Sequence, residues 1–194
     1  MINLANPATS YPDRKPSIPA QPSAPLDSSG SMMRPIATTP ELRAQFWQRF
    51  ALDELTTAEW EALCDGCGAC CLIKFLEDDD AQTDVEYTDV ACRLLDCESG
   101  YCSNYADRQK YVPDCVSLTP DKLVDMMWLP SNCAYKRLYL GQDLPEWHLL
   151  ITGDAVATQQ GMREAGVGVA GRCVSEVGIS EEELEERVVT WIEV

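Results

Sequence analysis

The sequence is poor in the residues that most often bind polyanions or run acid–base chemistry. It has one histidine, His148, and only 15 lysines and arginines against 32 aspartates and glutamates. A net charge of −17 leaves nothing to neutralise a run of phosphates, so neither nucleic acid nor an anionic membrane surface is expected as a partner. No apolar run approaches the roughly 18 residues that a membrane helix needs. The N-terminal stretch lacks the apolar core of a secretory signal, so a cytoplasmic protein is expected. Walker, Rossmann and radical-SAM type C-x3-C-x2-C motifs are also missing, and a single imidazole has no triad partner in the sequence. These absences weigh against an enzyme.

What the chain has in quantity is cysteine: ten residues, nine of them between 64 and 133. In a reducing compartment such thiols are expected as metal ligands rather than as a disulfide framework. The densest stretch is Cys64-Asp65-Gly66-Cys67-Gly68-Ala69-Cys70-Cys71. A C-x2-C step lets two sulfurs meet one ion across a tight turn, and Gly66 and Gly68 permit the backbone conformations that such a turn uses. Thiolates suit zinc, iron–sulfur clusters and copper(I). Because the side chains of adjacent cysteines tend to point apart, Cys70 and Cys71 suggest two sites or one polynuclear site. Cys92, Cys97, Cys102, Cys115 and Cys133 follow as further candidate metal ligands.

Residues 1–37 are rich in Pro, Ser and Ala without a hydrophobic period, and read as a disordered tail ahead of a cysteine-cluster domain over 38–194. Thr39, Pro40 and Glu41 look like a helix start, with Leu42, Phe46, Trp47 and Phe50 on one face. Thr56 and Glu59 form a capping box for a second helix, which carries Trp60 and leads into Cys64. Leu72–Leu76 is a strand or a helical turn, and Val85–Thr88 alternates as a strand. The acidic run from Glu77 through Asp84 lacks the pattern of a calcium loop and reads as solvated. Thr119-Pro120-Asp121 opens a helix towards Met127. Ser131 caps another over Asn132–Leu140, which puts Cys133 in its first turn, where the helix field favours the thiolate. Val167–Val174 reads as a strand, with Cys173 as a small apolar residue. Ser180 and Glu183 cap a last helix to about Ile192, with Leu184, Val188, Trp191 and Ile192 as its apolar stripe. His148 reads as a hydrogen-bonded structural residue rather than a ligand.

With those residues in view, the chain resembles the CxxCxxCC cysteine-cluster family, in its YcgN-like branch. The resemblance runs from Leu63-Cys64-Asp65-Gly66-Cys67-Gly68 and Cys70-Cys71 through Val90-Ala91-Cys92-Arg93 and Pro113-Asp114-Cys115. It continues in Trp128-Leu129-Pro130, Cys133-Ala134-Tyr135, Trp147-His148 and Gly171-Arg172. It implies a zinc- or iron-chelating protein with ligands Cys64, Cys67, Cys70, Cys71, Cys92, Cys102, Cys115 and Cys133. The family carries a Cys-x-Cys pair at Cys102, where this chain has Gly100. Cys97, five residues before Cys102, is the nearest substitute and joins the candidate set. The proline that usually follows the histidine is Leu149 here.

The expected fold is α+β, mainly short helices with irregular cysteine-rich loops around a metal site. The expected function is a cytosolic, non-catalytic zinc- or iron-binding protein. The alternatives are an iron–sulfur redox protein or enzyme accessory and, less favoured, a hydrolytic zinc enzyme, which would need an open coordination position.

Overall fold

The structure is a computed structural model that describes residues 42–76 and 85–194, with the backbone of a two-residue strand, β1 (Asn3–Leu4). The rest of the proline-rich tail, the Thr39–Glu41 helix start and the acidic run over 77–84 lie outside the described residues.

The order along the chain is α1 (Phe46–Arg49), α2 (Thr57–Ala62), β2 (Leu72–Leu76), β3 (Val85–Ala91), α3 (Arg108–Tyr111), α4 (Ala134–Tyr139), α5 (Leu149–Thr152), α6 (Ala155–Glu164), β4 (Val174–Ser175), α7 (Glu181–Glu185) and β5 (Val188–Val189). Single 3-10 turns lie at Leu52–Glu54, Ala69–Cys71 and Pro120–Asp125. This is the α+β architecture expected from the sequence: short helices around one small mixed sheet. No helix among the described residues is long and apolar enough to cross a membrane.

Strand β3 is the spine of the sheet. On one edge it pairs antiparallel with β2, with Leu72 opposite Ala91 and Lys74 opposite Tyr87. β1 extends β2 on its outer edge. The other edge of β3 is shared. Val90 and Ala91 pair in parallel with β4, while Tyr87 and Thr88 pair antiparallel with β5. Alternation along the strands then sorts the side chains onto two faces. Leu72, Tyr87 and Ala91 join the main core with Phe46, Trp60, Leu63, Leu123 and Leu129. Ile73 and Val90 point the other way and are covered by Leu184 of α7.

Several local expectations hold. The Thr56–Glu59 capping box forms, with the Glu59 N–H donating to Thr56 Oγ1 at 3.3 Å and the Thr56 N–H donating to Glu59 Oε2 at 2.9 Å. Ser180 and Glu183 cap α7 in the same way. Others are corrected. The first helix is a single turn, because Gln45 takes a left-handed backbone (φ 49°) that cannot belong to a right-handed helix. The last helix ends at Glu185 instead of Ile192, since Val188 and Val189 supply hydrogen-bond partners to an edge of β3 that would otherwise lie open. The strand expected over Val167–Val174 shrinks to Val174–Ser175, and the preceding residues turn through Gly166 and Gly171 at positive φ. The helix expected over Asn132–Leu140 starts at Ala134, and the Thr119–Met127 helix is a 3-10 turn.

Buried polar groups tie the helices together. His148 is completely buried. Its Nδ1 accepts from the Leu150 N–H at 3.1 Å, which leaves the proton on Nε2 to donate to the Leu63 carbonyl at 2.9 Å. Tyr135 donates to the Trp60 carbonyl at 3.0 Å, Tyr87 to that of Trp128 at 2.8 Å, and Trp60 Nε1 to that of Leu118 at 3.0 Å. Arg43 grips Glu59 with Nε to Oε1 at 2.8 Å and Nη2 to Oε2 at 2.7 Å.

The grip of Arg43 and the N–H of Thr56 hold the Glu59 carboxyl well below its ordinary value near 4.5. Its contribution to stability is therefore complete above about pH 4.5 and fades as the pH falls further, because the unfolded chain takes up the proton first. Urea unfolding of the E59Q variant should show a lower midpoint at pH 7 and a smaller gap to the parent at pH 3. An unchanged gap at the two pH values would show that the carboxylate charge does not hold this corner.

Candidate metal centre

The thiols are brought together by three backbone devices. The first is the 64–71 loop, which leaves α2 at Leu63 and enters β2 through the Ala69–Cys71 turn. Gly66 and Gly68 sit at φ 75° and 78°. A Cβ on Gly68 would meet Val169 Cγ2 at 2.5 Å and the Gly100 carbonyl at 3.0 Å, so this glycine is required by both conformation and packing. The Asp65 carboxylate closes the turn by accepting the Cys67 N–H at 3.0 Å.

The second device is the end of β3, where the Cys92 N–H donates to the Cys71 carbonyl at 2.9 Å and so sets those two residues side by side. The third is a small hairpin over 94–103, in which Leu95 bridges to Cys102 and the Ser103 N–H donates to the Leu94 carbonyl at 2.7 Å. It returns Cys102 towards Cys92. Cys115 arrives from the turn after α3, and Cys133 from the N-cap of α4.

These devices wall a cavity of about 140 Å³ lined by Cys64, Cys70, Cys71, Cys92, Cys102 and Cys115. Trp60, Tyr105 and Tyr135 supply its aromatic walls, and Lys74 and Arg108 its cations. Cys67 and Cys133 do not line it, but both lie within electrostatic reach of Cys70 and of Asp65. Cys64, Cys67 and Cys133 feel Cys70 and Asp65, Cys92 and Cys115 feel each other and Cys102, and the Cys70–Cys71 pair links the two sides. Among the described residues, no three Cys, His, Asp or Glu side chains are closed around a common point as one ion would require.

The adjacent pair departs from expectation. Cys70 and Cys71 do not point apart: their thiols hydrogen-bond to each other across the 3-10 turn. The Cys71 thiol donates, and this together with the Lys74 ammonium draws Cys70 down to about 7 against the cost of burial, while Cys71 is driven up and keeps its proton. Cys64, Cys67, Cys92, Cys115 and Cys133 are pushed up, chiefly by burial. That includes Cys133, which rises to about 12. The N–H groups of Tyr135 and Lys136 at the start of α4 do lower it, as the helix field was expected to, but desolvation outweighs them.

Two groups in the site carry no obvious sequence signal. Lys74 is only 2% exposed, because the strand alternation that sends Ile73 and Phe75 outward turns it onto the core face. Its ammonium donates to the Cys70 carbonyl at 3.3 Å and sits 4.6 Å from the centre of the Trp128 ring. Asp65 is 7% exposed, and its Oδ2 is buried with no hydrogen-bond partner. An unpaired carboxylate oxygen among thiols is costly unless something cationic completes it. The donor set (soft sulfurs, one orphaned oxygen and a buried counter-charge) therefore fits a thiophilic ion such as zinc or iron.

The remaining two cysteines stand apart. Cys97, at the tip of the hairpin, does not line the cavity, and its thiol partner is Cys173. Cys173 packs on the main core as an apolar residue would, and its contact with Cys97 joins segments far apart in sequence. The structural reading of His148 agrees with its geometry, as both ring nitrogens are engaged by backbone groups.

Residues 63–134 match a family model, CxxCxxCC, described as "Putative zinc- or iron-chelating domain". The chain is 51% identical over 146 residues to a UPF0260 protein of Parvibaculum lavamentivorans, covering 75% of this chain and 92% of that one. It is 53% identical over 146 residues to a UPF0260 protein of Gluconacetobacter diazotrophicus (75% and 86% covered), and 46% identical over 144 residues to one of Azotobacter vinelandii (74% and 93% covered). No solved structure matches the chain.

The packing around Gly68 makes a quantitative prediction. A left-handed alanine costs roughly 1–2 kcal/mol by conformation alone. That is the loss expected for G141A, where nothing lies within 4 Å of the added carbon. G68A should lose more, because Val169 and the Gly100 carbonyl must also move. Equal losses in urea unfolding would show that the cysteine loop is not held by those contacts.

Proposed function

The chain belongs to the UPF0260 family, and on that footing we propose that it is a thiolate-ligated zinc- or iron-binding protein whose role is to hold the ion rather than to catalyse. The observation that carries this reading is the cavity of about 140 Å³, which gathers six thiols from four separate segments of chain. The proposed ligands fall into two sets, Cys64, Cys67, Cys70 and Cys133 with Asp65 beside them, and Cys71, Cys92, Cys102 and Cys115.

Lys74 has a defined part in this reading. Eight thiolates around two divalent ions would keep an excess of negative charge in a chain that is already acidic. A buried ammonium among Cys70, Cys71 and Cys92 offsets part of it. Binding rather than catalysis is favoured because thiolate-saturated sites leave little Lewis acidity and no open position. In addition, the one histidine is committed to backbone partners. What a bound ion supplies here is a cross-link among the 64–71 loop, the end of β3, the 94–103 hairpin and the N-terminus of α4.

The deciding experiment is element analysis of full-length protein purified without oxygen. At least one zinc or iron per chain is expected, with metal content reduced in C70S and in C92S. A colourless zinc protein fits the first reading, and a brown protein containing iron and acid-labile sulfide is the iron–sulfur alternative. Metal far below one per chain would overturn both.

Removal of the metal generates a second prediction. In small zinc domains ion binding provides roughly 10 kcal/mol or more of folding free energy at neutral pH. Chelation should therefore lower hydrogen-exchange protection over residues 64–133 by several orders of magnitude, while α7, which has its own capping box, changes little. Equal protection of 64–133 with and without metal would mean that the thiols decorate a fold that stands without them.

A further inference from the structure

Cys97 and Cys173 stand clear of the cavity and contact each other. Neither lines it, and the thiol of Cys173 hydrogen-bonds to that of Cys97 across 76 positions of sequence. The contact is built into the backbone on both sides. At the hairpin tip, Asp96 Oδ1 accepts the Glu98 N–H at 2.9 Å and the Ser99 N–H at 3.3 Å, which fixes the turn that presents Cys97. The Gly171 N–H donates to the Cys97 carbonyl at 2.7 Å, and Gly100 packs on Ala170. On the other side Cys173 leads directly into β4, which is registered on Val90 and Ala91 of the sheet spine. Both cysteines are half-buried, packed on the core by one side and open on the other.

We infer that Cys97 and Cys173 are a redox-active dithiol that closes to a reversible disulfide on reaction with a hydroperoxide. This inference does not depend on metal in the neighbouring cavity. The Gly171 N–H bond to the Cys97 carbonyl already holds the two segments side by side, so an S–S bond of about 2.05 Å asks only for side-chain rotation and a small approach of the two sulfurs. The surroundings select the oxidant. Asp96 and Glu98 flank Cys97, which disfavours an anionic disulfide such as oxidised glutathione and leaves neutral hydrogen peroxide unhindered.

The chemistry balances in two steps. The sulfur of Cys97 attacks one peroxide oxygen, which breaks the O–O bond and gives a sulfenic acid and one water. The sulfur of Cys173 then attacks the sulfenic sulfur, and the hydroxyl leaves as a second water with the thiol proton. Two thiols are oxidised by two electrons and one peroxide is reduced. Burial, with help from the Cys97 contact, pushes the Cys173 thiol up, so it is the proton donor of the pair, and it passes that proton to the departing hydroxyl as its sulfur attacks. The product ties the hairpin that carries Cys102 to the 169–173 segment, whose Val169 N–H already donates to the Cys67 carbonyl at 3.0 Å. Oxidation would therefore brace one wall of the thiol cavity without consuming any of its ligands.

Trypsin places the two residues in separate peptides, 94–108 and 173–187, which makes the test direct. Full-length protein is treated with hydrogen peroxide, alkylated in denaturant and digested without reductant. Mass spectrometry should find these peptides joined, with two hydrogens lost, and fragmentation should place the bond at Cys97 rather than at Cys102. The free-thiol count of metal-stripped, denatured protein should fall by two and recover with dithiothreitol. The joined peptides should vanish in C97S and in C173S, while the metal content of both variants stays at the parent level. Persisting free thiols at Cys97 and Cys173, or a bond from either to a different cysteine, would overturn the inference. So would metal loss in C97S or C173S, which would assign the pair to the metal centre instead.

Discussion

The central constraint is that β3 must satisfy the hydrogen bonds of both its edges with very little sheet. A buried strand cannot leave its N–H and C=O groups unpaired. Here a hairpin partner covers one edge, and two separate two-residue strands from the C-terminal part of the chain share the other. The chain after residue 165 is therefore shaped as a cover for β3. That requirement breaks the last helix at Glu185 and ends the preceding loop in a parallel strand. It also brings Val169 onto Gly68 and Cys173 onto Cys97. The cysteine loop is held in place by the same arrangement, because Cys71 and Cys92 meet through one backbone hydrogen bond where β2 and β3 diverge.

Around that spine, the thiols are concentrated where water is scarce. Desolvation disfavours the thiolate and raises most of these cysteines, against the opposing pull of the Cys71 thiol on Cys70, of Lys74 and Arg108, and of a few backbone N–H groups. A thiolate formed in such a site needs cationic charge close by. The orphaned oxygen of Asp65 and the shared proton of Cys70 and Cys71 express the same deficit in two other ways. The aromatic residues give the cavity rigid walls: Trp60 stacks at a tilt on Tyr135, with ring centres 4.8 Å apart, and both anchor their polar ends on backbone carbonyls.

The division of ten cysteines between a cavity and a separate pair has a geometric origin. Within the 94–103 hairpin, Cys102 sits on the returning arm and faces Cys92, whereas Cys97 sits at the tip and faces outward to the 166–173 loop. Five residues of spacing across a turn are enough to send the two thiols to different neighbours. Spacing alone grouped Cys97 with its near neighbours in the chain, and the hairpin gives it a distant partner.

Sequence by itself was sufficient for whatever is encoded locally. The capping boxes at Thr56–Glu59 and Ser180–Glu183, the alternation over Val85–Thr88 that opens β3, and the use of glycine at positions 66 and 68 all depend on residues a few places apart. The thiol-rich chemistry and the α+β class were legible for the same reason, since composition and short-range pattern carry them. Tertiary structure decided the rest. It turned Lys74 inward, because only the pairing of β2 with β3 sets which face of the strand is buried. It made His148 a hydrogen-bonded brace between α5 and Leu63, and it let burial outweigh the helix field at Cys133. It also joined Cys97 to Cys173. Each of these outcomes turns on desolvation or on a contact between distant segments, and both arise only when the chain closes on itself.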